Sequence, residues 1–159
     1  MEIERKYLVR ELPSDLDSYP HVEIEQGYLC TSPTVRVRRM GDVHILTIKE
    51  RLVDGHHSVA SGEPIVNREE EFVLPADRYE ALKAKCDGRM VQKTRYRIPL
   101  KDGLIAELDL FHGYHEGLQL VEVEFPNTEV ADSFVPPAWF GKEVSDDRRY
   151  RNSYMAFNG

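Results

Sequence analysis

The sequence is poor in cysteine and tryptophan, and it contains no long apolar run. It has two cysteines, Cys30 and Cys86, and one tryptophan among 159 residues. The cysteines fall in no metal-binding spacing, so they argue against a disulfide framework and predict reduced thiols. No apolar stretch is long enough to cross a bilayer, and the first residues are not an apolar leader. We therefore expect a cytoplasmic protein that does not associate with membranes.

The chain also has no excess of positive charge. Its formal net charge is −7, from 21 basic and 28 acidic residues, which argues against nonspecific binding to nucleic acid or to an anionic membrane. A local basic pocket for a small anion is still compatible with that total. The length suits a single domain, 1–159, with a sizeable core, and charged residues make up an unusually high 31% of the chain.

Strand-like runs dominate the sequence. Each run alternates apolar and polar residues and ends at a turn signal. The predicted strands are Met1–Val9, Ile24–Cys30, Thr34–Met40, Val43–Glu50, Val66–Leu74, Arg89–Leu100, Leu104–Phe111 and Leu118–Phe125. Gly41-Asp42 predicts a tight hairpin between the third and fourth strands, and Lys101-Asp102-Gly103 predicts another between the sixth and seventh.

Three segments have the spacing of helices. They are Pro75–Cys86, Thr128–Phe134 and Ser145–Phe157, with Asn127 and Ser145 as the predicted N-caps of the second and third helices. The stretch Arg51–Pro64 is rich in turn-forming residues and is predicted to be a loop and the most mobile part of the chain.

Charged residues recur at every second position along the predicted strands. Side chains two positions apart share a strand face, so Glu2, Glu4 and Lys6 lie on one face of the first strand. The same spacing joins Arg36 with Arg38, Thr47 with Lys49, Glu69 with Glu71, Lys93 with Arg95 and Arg97, Glu107 with Asp109, and Glu122 with Glu124. Nearly every strand therefore has one apolar face and one charged face.

Two arrangements are compatible with this pattern. For any single pair, the commoner one is an antiparallel sheet whose charged face meets solvent. Taken together, however, the charges are sorted by strand: acids lie on the first, fifth, seventh and eighth strands and bases on the third, fourth and sixth. A solvated surface usually mixes both signs, and the number of strands suits a small closed barrel. We therefore favour a barrel with its charged faces inside and its apolar faces outside, covered by the helices.

A tunnel with basic and acidic walls predicts a particular kind of ligand. Arginine and lysine bind phosphate oxygens, whereas carboxylates repel phosphate unless divalent cations lie between them. Mg²⁺ and Mn²⁺ take carboxylate and phosphate oxygens together. The sorted charges thus predict a polyphosphate chain held between a basic wall and acidic, metal-bearing walls.

The same residues resemble the signature of a known family. Glu2-x-Glu4-x-Lys6 is similar to the N-terminal motif of the CYTH superfamily, the triphosphate tunnel metalloenzymes. Other segments in the family's order are Arg36-Val37-Arg38, Thr47-Ile48-Lys49, Glu69-Glu70-Glu71, Lys93-Thr94-Arg95-Tyr96, Glu107-Leu108-Asp109 and Leu120-Val121-Glu122-Val123-Glu124-Phe125. The C-terminal part resembles the short single-domain bacterial members, whose C-terminal basic residue corresponds here to Arg148, Arg149 or Arg151.

The resemblance implies a mainly β fold with helices, of the α+β class: an eight-stranded antiparallel tunnel barrel with a charged interior and helices packed outside. It also implies an inorganic triphosphatase that splits tripolyphosphate into pyrophosphate and phosphate with Mg²⁺ or Mn²⁺, two ions being bound. The alternatives are a class IV-type adenylate cyclase acting on ATP, a thiamine triphosphatase, and a non-catalytic polyphosphate or nucleotide sensor. Small soluble domains are often symmetric dimers, and on that ground alone we expect a homodimer.

The resemblance also implies roles for individual residues. The implied metal ligands are Glu2, Glu4, Glu69, Glu71, Asp109, Glu122 and Glu124. The implied substrate-binding residues are Lys6, Arg36, Arg38, Lys49, Lys93 and Arg95. Lys93, Lys6 and Glu69 are implied to be catalytic, by neutralising charge at the attacked phosphorus or by placing the attacking water. Glu107 and Asp109 are equally compatible with binding a metal ion, with orienting water or with pairing to the bases.

Overall fold

The computed structural model describes residues 1–52 and 64–158, in which the strands form a single antiparallel sheet that closes on itself. The strands are β1 (Glu2–Val9), β2 (His21–Thr31), β3 (Thr34–Met40), β4 (Val43–Arg51), β5 (Ile65–Leu74), β6 (Asp87–Pro99), β7 (Ile105–His112), β8 (Gln119–Glu124) and β9 (Phe140–Glu143). The helices are α1 (Ala76–Lys83), α2 (Thr128–Ser133) and α3 (Asn152–Asn158).

The sheet closes because β1 pairs along both of its edges. One edge pairs with β8, where Lys6 lies opposite Glu122. The other edge pairs first with β5, where Glu2 lies opposite Asn67, and then with β9, where Tyr7 lies opposite Glu143. The order around the barrel is β5-β4-β3-β2-β6-β7-β8-β1, returning to β5. The predicted eight-stranded antiparallel barrel is therefore confirmed, and β9 is an additional strand that the sequence did not predict.

The predicted turns are also observed. Met40 pairs directly with Val43, so a two-residue hairpin joins β3 to β4, and Gly41 adopts the positive φ of 59° that such a turn favours. The connection between β6 and β7 is a short 3-10 turn, Lys101–Gly103, in which Asp102 also has a positive φ.

The third predicted helix is wrong in its first half. Helix α3 begins only at Asn152, and a 3-10 turn, Arg148–Tyr150, precedes it. Ser145 is not an N-cap, because its hydroxyl accepts from the backbone N–H of Lys6 on β1. The second predicted helix and its N-cap are confirmed: the Asn127 side chain caps α2 by accepting from the N–H of Val130.

Most of the predicted loop Arg51–Pro64 cannot be compared with the structure. Within Arg51–Pro64, residues 53–63 lie outside the described part of the chain, and Arg51 is the last residue of β4.

The main apolar core lies outside the barrel. Alternate residues of β1, β6, β7 and β8, including Leu108, Val121 and Val123, turn outward and are completely or almost completely buried. Ala131 of α2 and Phe140 of β9 pack against them. Because burial of apolar surface drives folding, these outward faces hold the barrel closed while leaving its interior free for charged groups.

A second apolar cluster closes one end of the barrel. Along the inward-facing alternation, the charged positions of β6, β7 and β8 give way to Val91, Phe111 and Leu120, and these three pack against Met155 and Ala156 of α3. Helix α3 thus covers this end and brings the C-terminal segment next to the charged interior. None of the helices in residues 1–52 and 64–158 is long and apolar enough to span a bilayer.

Candidate active site

The barrel encloses a cavity of about 640 Å³ that collects most of the predicted site residues. The predicted residues that line it are Glu2, Glu4, Lys6, Arg36, Arg38, Lys49, Glu69, Glu71, Lys93, Arg95 and Glu122. They come from β1, β3, β4, β5, β6 and β8 at alternating positions, which is what a barrel with charged inner faces requires. Glu69 and Glu71 line the cavity, although Glu71 is also exposed to solvent, whereas Glu70 between them is exposed and does not line it.

A carboxylate pair forms the acidic corner of the cavity. Burial, together with the charge of Glu122, raises the pKa of Glu4 well above its usual range. Burial alone would also raise the pKa of Glu122, but Lys6 and Arg95 outweigh it and hold that pKa well below its usual range. These opposite shifts favour the proton on Glu4 and the charge on Glu122, whose carboxyl groups are close enough to hydrogen-bond, as two carboxyl groups sharing a site commonly do.

Lys49 lies between two further carboxylates. Its Nζ is 2.9 Å from Oε1 of Glu2 and 3.4 Å from Oε2 of Glu69. Burial by itself would lower the pKa of Lys49, but Glu4 and Glu2 outweigh it and raise that pKa. Burial raises the pKa of Glu2 in turn. This lysine is thus fixed in its charged form at the boundary between the acidic and basic parts of the wall.

Asp109 organises the cations of β6. It accepts from Arg95 in a two-pronged interaction, with Nε 2.8 Å from Oδ1 and Nη2 2.9 Å from Oδ2. Lys93 Nζ lies 2.7 Å from the same Oδ2. The two cations keep the pKa of Asp109 below its usual range against the effect of burial. Burial lowers the pKa of Lys93 to about 7, because the partial compensation by Asp109 is opposed by Arg95 and Arg38.

Four arginines of the lining form no ion pair with any carboxylate of the described residues: Arg36, Arg38, Arg51 and Arg151. Arg38 Nε donates to Gln26 at 2.8 Å, and Arg36 Nη2 donates to Thr47 at 3.3 Å. Burial and the neighbouring Arg36 lower the pKa of Arg38 to about 9. Burial and the neighbouring Arg151 lower the pKa of Arg51 to about 10. These arginines repel one another, so an anion placed among them would be held strongly.

Two predicted metal ligands are not brought into the cavity. Asp109 is 1% exposed and lies behind the lining, because Arg95 and Lys93 cover its carboxylate. Glu124 is exposed and lines an adjoining cavity of about 460 Å³, which shares Glu107 with the main one. The alternation predicted the face of each side chain correctly but gave no information on its depth along the barrel.

Two arginines of the cavity were not among the implied substrate-binding residues, although Arg151 was one of three candidates for the C-terminal basic residue. Arg51 continues the alternation of Thr47 and Lys49 along β4, so that signal was present in the sequence. Arg151 is the C-terminal arginine that reaches the cavity, whereas Arg149 bonds to Asp147 at the surface. Its position depends on how α3 packs, and no periodic signal marks it.

The carboxylates of the cavity are suited to bind a divalent cation together with a phosphate ligand, but not by themselves. Within the described ranges, no three His, Cys, Asp or Glu side chains lie close enough together to hold a metal ion by themselves. The hydrogen-bonded pair of Glu4 and Glu122 offers a place where a cation can replace the shared proton. Mg²⁺ is usually bound by one or two carboxylates together with substrate phosphates and water, so this donor set fits Mg²⁺ or Mn²⁺.

Comparison with known proteins agrees with the geometry. No protein-family model matches the chain. It is 39% identical to an inorganic triphosphatase of Nitrosomonas europaea, over 99% of this chain and 97% of that protein. It is 32% identical to an inorganic triphosphatase of Acetivibrio thermocellus, over 99% of this chain and 94% of that protein.

A solved structure is also similar. The crystal structure of the inorganic triphosphatase NE1496 superposes with a TM-score of 0.70 at 36% identity, covering 100% of this chain and 96% of that one. The resemblance to the triphosphate tunnel metalloenzymes, drawn from the charged motifs, is thereby confirmed. With relatives this similar along nearly the whole of both sequences, the chain belongs to the inorganic triphosphatase family.

Proposed function

We propose that the protein hydrolyses inorganic tripolyphosphate to pyrophosphate and phosphate with the help of Mg²⁺ or Mn²⁺. One observation carries the proposal: arginines that pair with no carboxylate of the described residues line the same cavity as the neighbouring carboxyl groups of Glu4 and Glu122. The arginines are suited to bind a multiply charged anion, and the carboxyl groups of Glu4 and Glu122 are suited to bind a divalent cation. A metal-bound triphosphate supplies both, and the names of the relatives support the same activity.

The substrate-binding wall consists of the cations that the sequence predicted and two that it did not. Arg36, Arg38 and Lys49 would hold phosphate oxygens, Arg36 and Arg38 through forked hydrogen bonds. Arg51 and Arg151 extend this wall. Burial and then repulsion by neighbouring arginines depress the pKa of Arg38 and Arg51, and a bound anion would offset both effects, which favours its binding.

The metal-binding wall consists of carboxylates. Glu2, Glu4 and Glu122 would hold a first ion, and Glu69 and Glu71 a second ion or its waters. When bound, such ions neutralise phosphate charge and stabilise the charge that develops during transfer. We assign Asp109 to pairing with Arg95 and Lys93, since those cations already occupy its oxygens. Glu124 would act at the opening, outside the first ion's contacts.

Lys93, Lys6 and Glu69 would act at the reacting phosphorus. Water attacks the terminal phosphorus, the bond from phosphorus to the bridging oxygen breaks, and pyrophosphate leaves. With a pKa of about 7, Lys93 is partly neutral near neutral pH, so its Nζ can accept the proton that the water loses. Lys6, 3.4 Å from Glu122, neutralises charge nearby, and Glu69 orients the water.

Other functions of the same barrel make different demands. An adenylate cyclase or a thiamine triphosphatase needs a surface for an organic group, and among the described lining residues the sole aromatic side chain is the fully buried Tyr28. A sensor would bind anions without needing the acidic wall. The cytoplasmic location, the homodimer, the single domain 1–159 and the absence of nucleic-acid and membrane partners stay predictions.

The test is phosphate release from tripolyphosphate, from ATP and from thiamine triphosphate, with Mg²⁺, with Mn²⁺ and with chelator, and with cyclic AMP measured in the ATP arm. We expect metal-dependent release that favours tripolyphosphate. Glu4→Gln should lower this activity by at least about tenfold, because it removes a charged ligand. Glu70→Gln makes the same chemical change on the exposed face of β5 and should leave the rate unchanged.

Each other outcome assigns a different function. Cyclic AMP and pyrophosphate from ATP would replace the proposal with a cyclase. Phosphate release from thiamine triphosphate, with none from tripolyphosphate or ATP, would show that the substrate is thiamine triphosphate. Tight binding of tripolyphosphate without turnover under any metal condition would replace the enzyme with a sensor.

A further inference from the structure

The C-terminal segment enters the cavity beside Lys93. Asn152, the first residue of α3, lines the cavity, and its Oδ1 accepts a hydrogen bond from Lys93 Nζ at 3.0 Å. Asp109 Oδ2 lies 2.7 Å from the same nitrogen. The Lys93 side chain is 0% exposed, so it cannot exchange these partners for bulk water. Asn152 and Asp109 therefore fix the position of this amine from two directions.

The chemistry of the amine makes this arrangement informative. An ammonium group has three N–H donors in tetrahedral directions. Two of them meet Asp109 and Asn152, and the third has no acceptor among the described residues. Because Lys93 borders the cavity, we expect a bound ligand to meet this third donor. Both partners are acceptors, so both hydrogen bonds survive when the third proton is lost, and the lone pair then has the direction of that proton. The same orientation thus serves a charged and a neutral Lys93.

We propose that Asn152 is a positioning residue for Lys93, holding its Nζ toward the attacked end of the bound triphosphate. The proposal rests on the proposed function, and it adds a residue to which the sequence motifs assign no role. A neutral amide suits this position, because a second carboxylate there would repel the substrate phosphates and would hold the proton on the lysine. Lys6 is tied to the same segment through the carbonyl of Tyr150, at 2.9 Å.

The kinetic test compares two asparagines of the same helix. Asn152→Leu keeps the approximate shape but removes the acceptor, and we expect kcat for tripolyphosphate to fall by about ten- to a hundredfold with little change in KM. Asn158→Leu is the matched control. Asn158 is exposed and donates to the carbonyl of Tyr154, so its loss should leave kcat unchanged. Melting temperatures of both variants show whether α3 stays folded.

A second readout does not depend on turnover. In protein with ¹⁵N-labelled lysine, at about pH 6, the buried Lys93 ammonium should give a slowly exchanging NMR signal, assigned by its loss in Lys93→Met. We expect this signal to be unchanged in Asn158→Leu, and to shift or broaden in Asn152→Leu. An unchanged signal in Asn152→Leu would overturn the positioning role, even if kcat falls, because Asn152 would then act without Lys93.

The two proposals fail in different ways. If the wild-type protein releases no phosphate from tripolyphosphate, the proposed function is wrong, and the NMR comparison still decides whether Asn152 orients Lys93. If the wild-type protein is active and Asn152→Leu retains full kcat, the positioning role is wrong and the function stands.

Discussion

Two parts of the cavity wall carry positive charge in different ways. On β6, Lys93 and Arg95 share the buried carboxylate of Asp109 and are held in place by it. On β3, Arg36 and Arg38 donate only to neutral side chains, and within the described residues no carboxylate pairs with them. The first group is organised before any ligand arrives, whereas the second group is organised by the ligand.

The difference separates stability from affinity. A buried charge that has lost its partner destabilises the fold strongly, so the paired cations depend on Asp109 for folding. An unpaired cation among other cations costs stability in the free protein and returns that cost when an anion binds. Substitutions in the two parts should therefore change different measured quantities, and three experiments test this difference.

The largest effect is expected at Asp109. Asp109→Asn leaves Lys93 and Arg95 buried beside a neutral group, and it should lower the free energy of unfolding by about 3–5 kcal/mol, measured by urea denaturation. Asp132→Asn is the control, since Asp132 is 67% exposed and lies 3.5 Å from Arg5, so its loss should change stability little. Equal stability of the two variants would contradict the idea that Asp109 organises this wall.

An intermediate effect, of the opposite kind, is expected at Arg36. Arg36→Met removes a charge that depresses the pKa of Arg38, so stability should stay the same or rise slightly. The apparent affinity for tripolyphosphate should fall by about ten- to a hundredfold, measured as KM or by calorimetry, because one charge-assisted contact is lost. The neighbouring Arg39 is half exposed and faces outward, so Arg39→Met is the matched control. A marked loss of stability in Arg36→Met with unchanged affinity would contradict the idea that the arginines of β3 serve affinity rather than stability.

The smallest effect concerns the carboxylate pair and pH. The pKa of Glu4 in the folded protein lies above the ordinary value of 4.5, so the folded state holds its proton more tightly than the unfolded state. Its contribution to stability is therefore complete below about pH 4.5 and is lost as the pH rises through the folded-state pKa. In chelator, the melting temperature should fall between pH 5 and pH 8 by a few degrees, and this fall should be smaller in Glu4→Gln. Mg²⁺ should raise the wild-type melting temperature more at pH 8 than at pH 5. Identical pH slopes for both proteins would show that Glu4 titrates normally.

The alternation of charge predicted most of the lining because a barrel strand has a strict period of two. It placed Glu2, Glu4 and Lys6 on one inner face, and the structure confirms that face. Arg51 lies at the next position of the β4 series and could have been added from the same pattern. The outward apolar faces were predictable for the same reason.

Other features depend on tertiary contacts between distant residues, and such contacts leave no periodic pattern in the sequence. The depth of Asp109 follows from the two cations that close over it. Ser145 looked like an N-cap, yet its hydroxyl is used by β1, and the Asp147 side chain then caps a 3-10 turn by accepting from the N–H of Arg149. The late start of α3 brings Arg151 and Asn152 to the cavity. No sequence motif predicts the depth of Asp109, the role of Ser145 or the position of Arg151 and Asn152.

β1 pairs with two strands of the barrel that lie far from it in the sequence. Glu2 pairs with a strand at Asn67, and Glu4 pairs with a strand at Glu124. One edge of β1 can therefore pair once β5 exists, whereas the other edge has no partner until β8 exists. Sheets built from such distant pairings fold slowly, because the loops must close before the contacts stabilise them. Because the pairing of β1 with β8 completes the ring of strands, we expect the closed, charged interior to form only once β8 is in place.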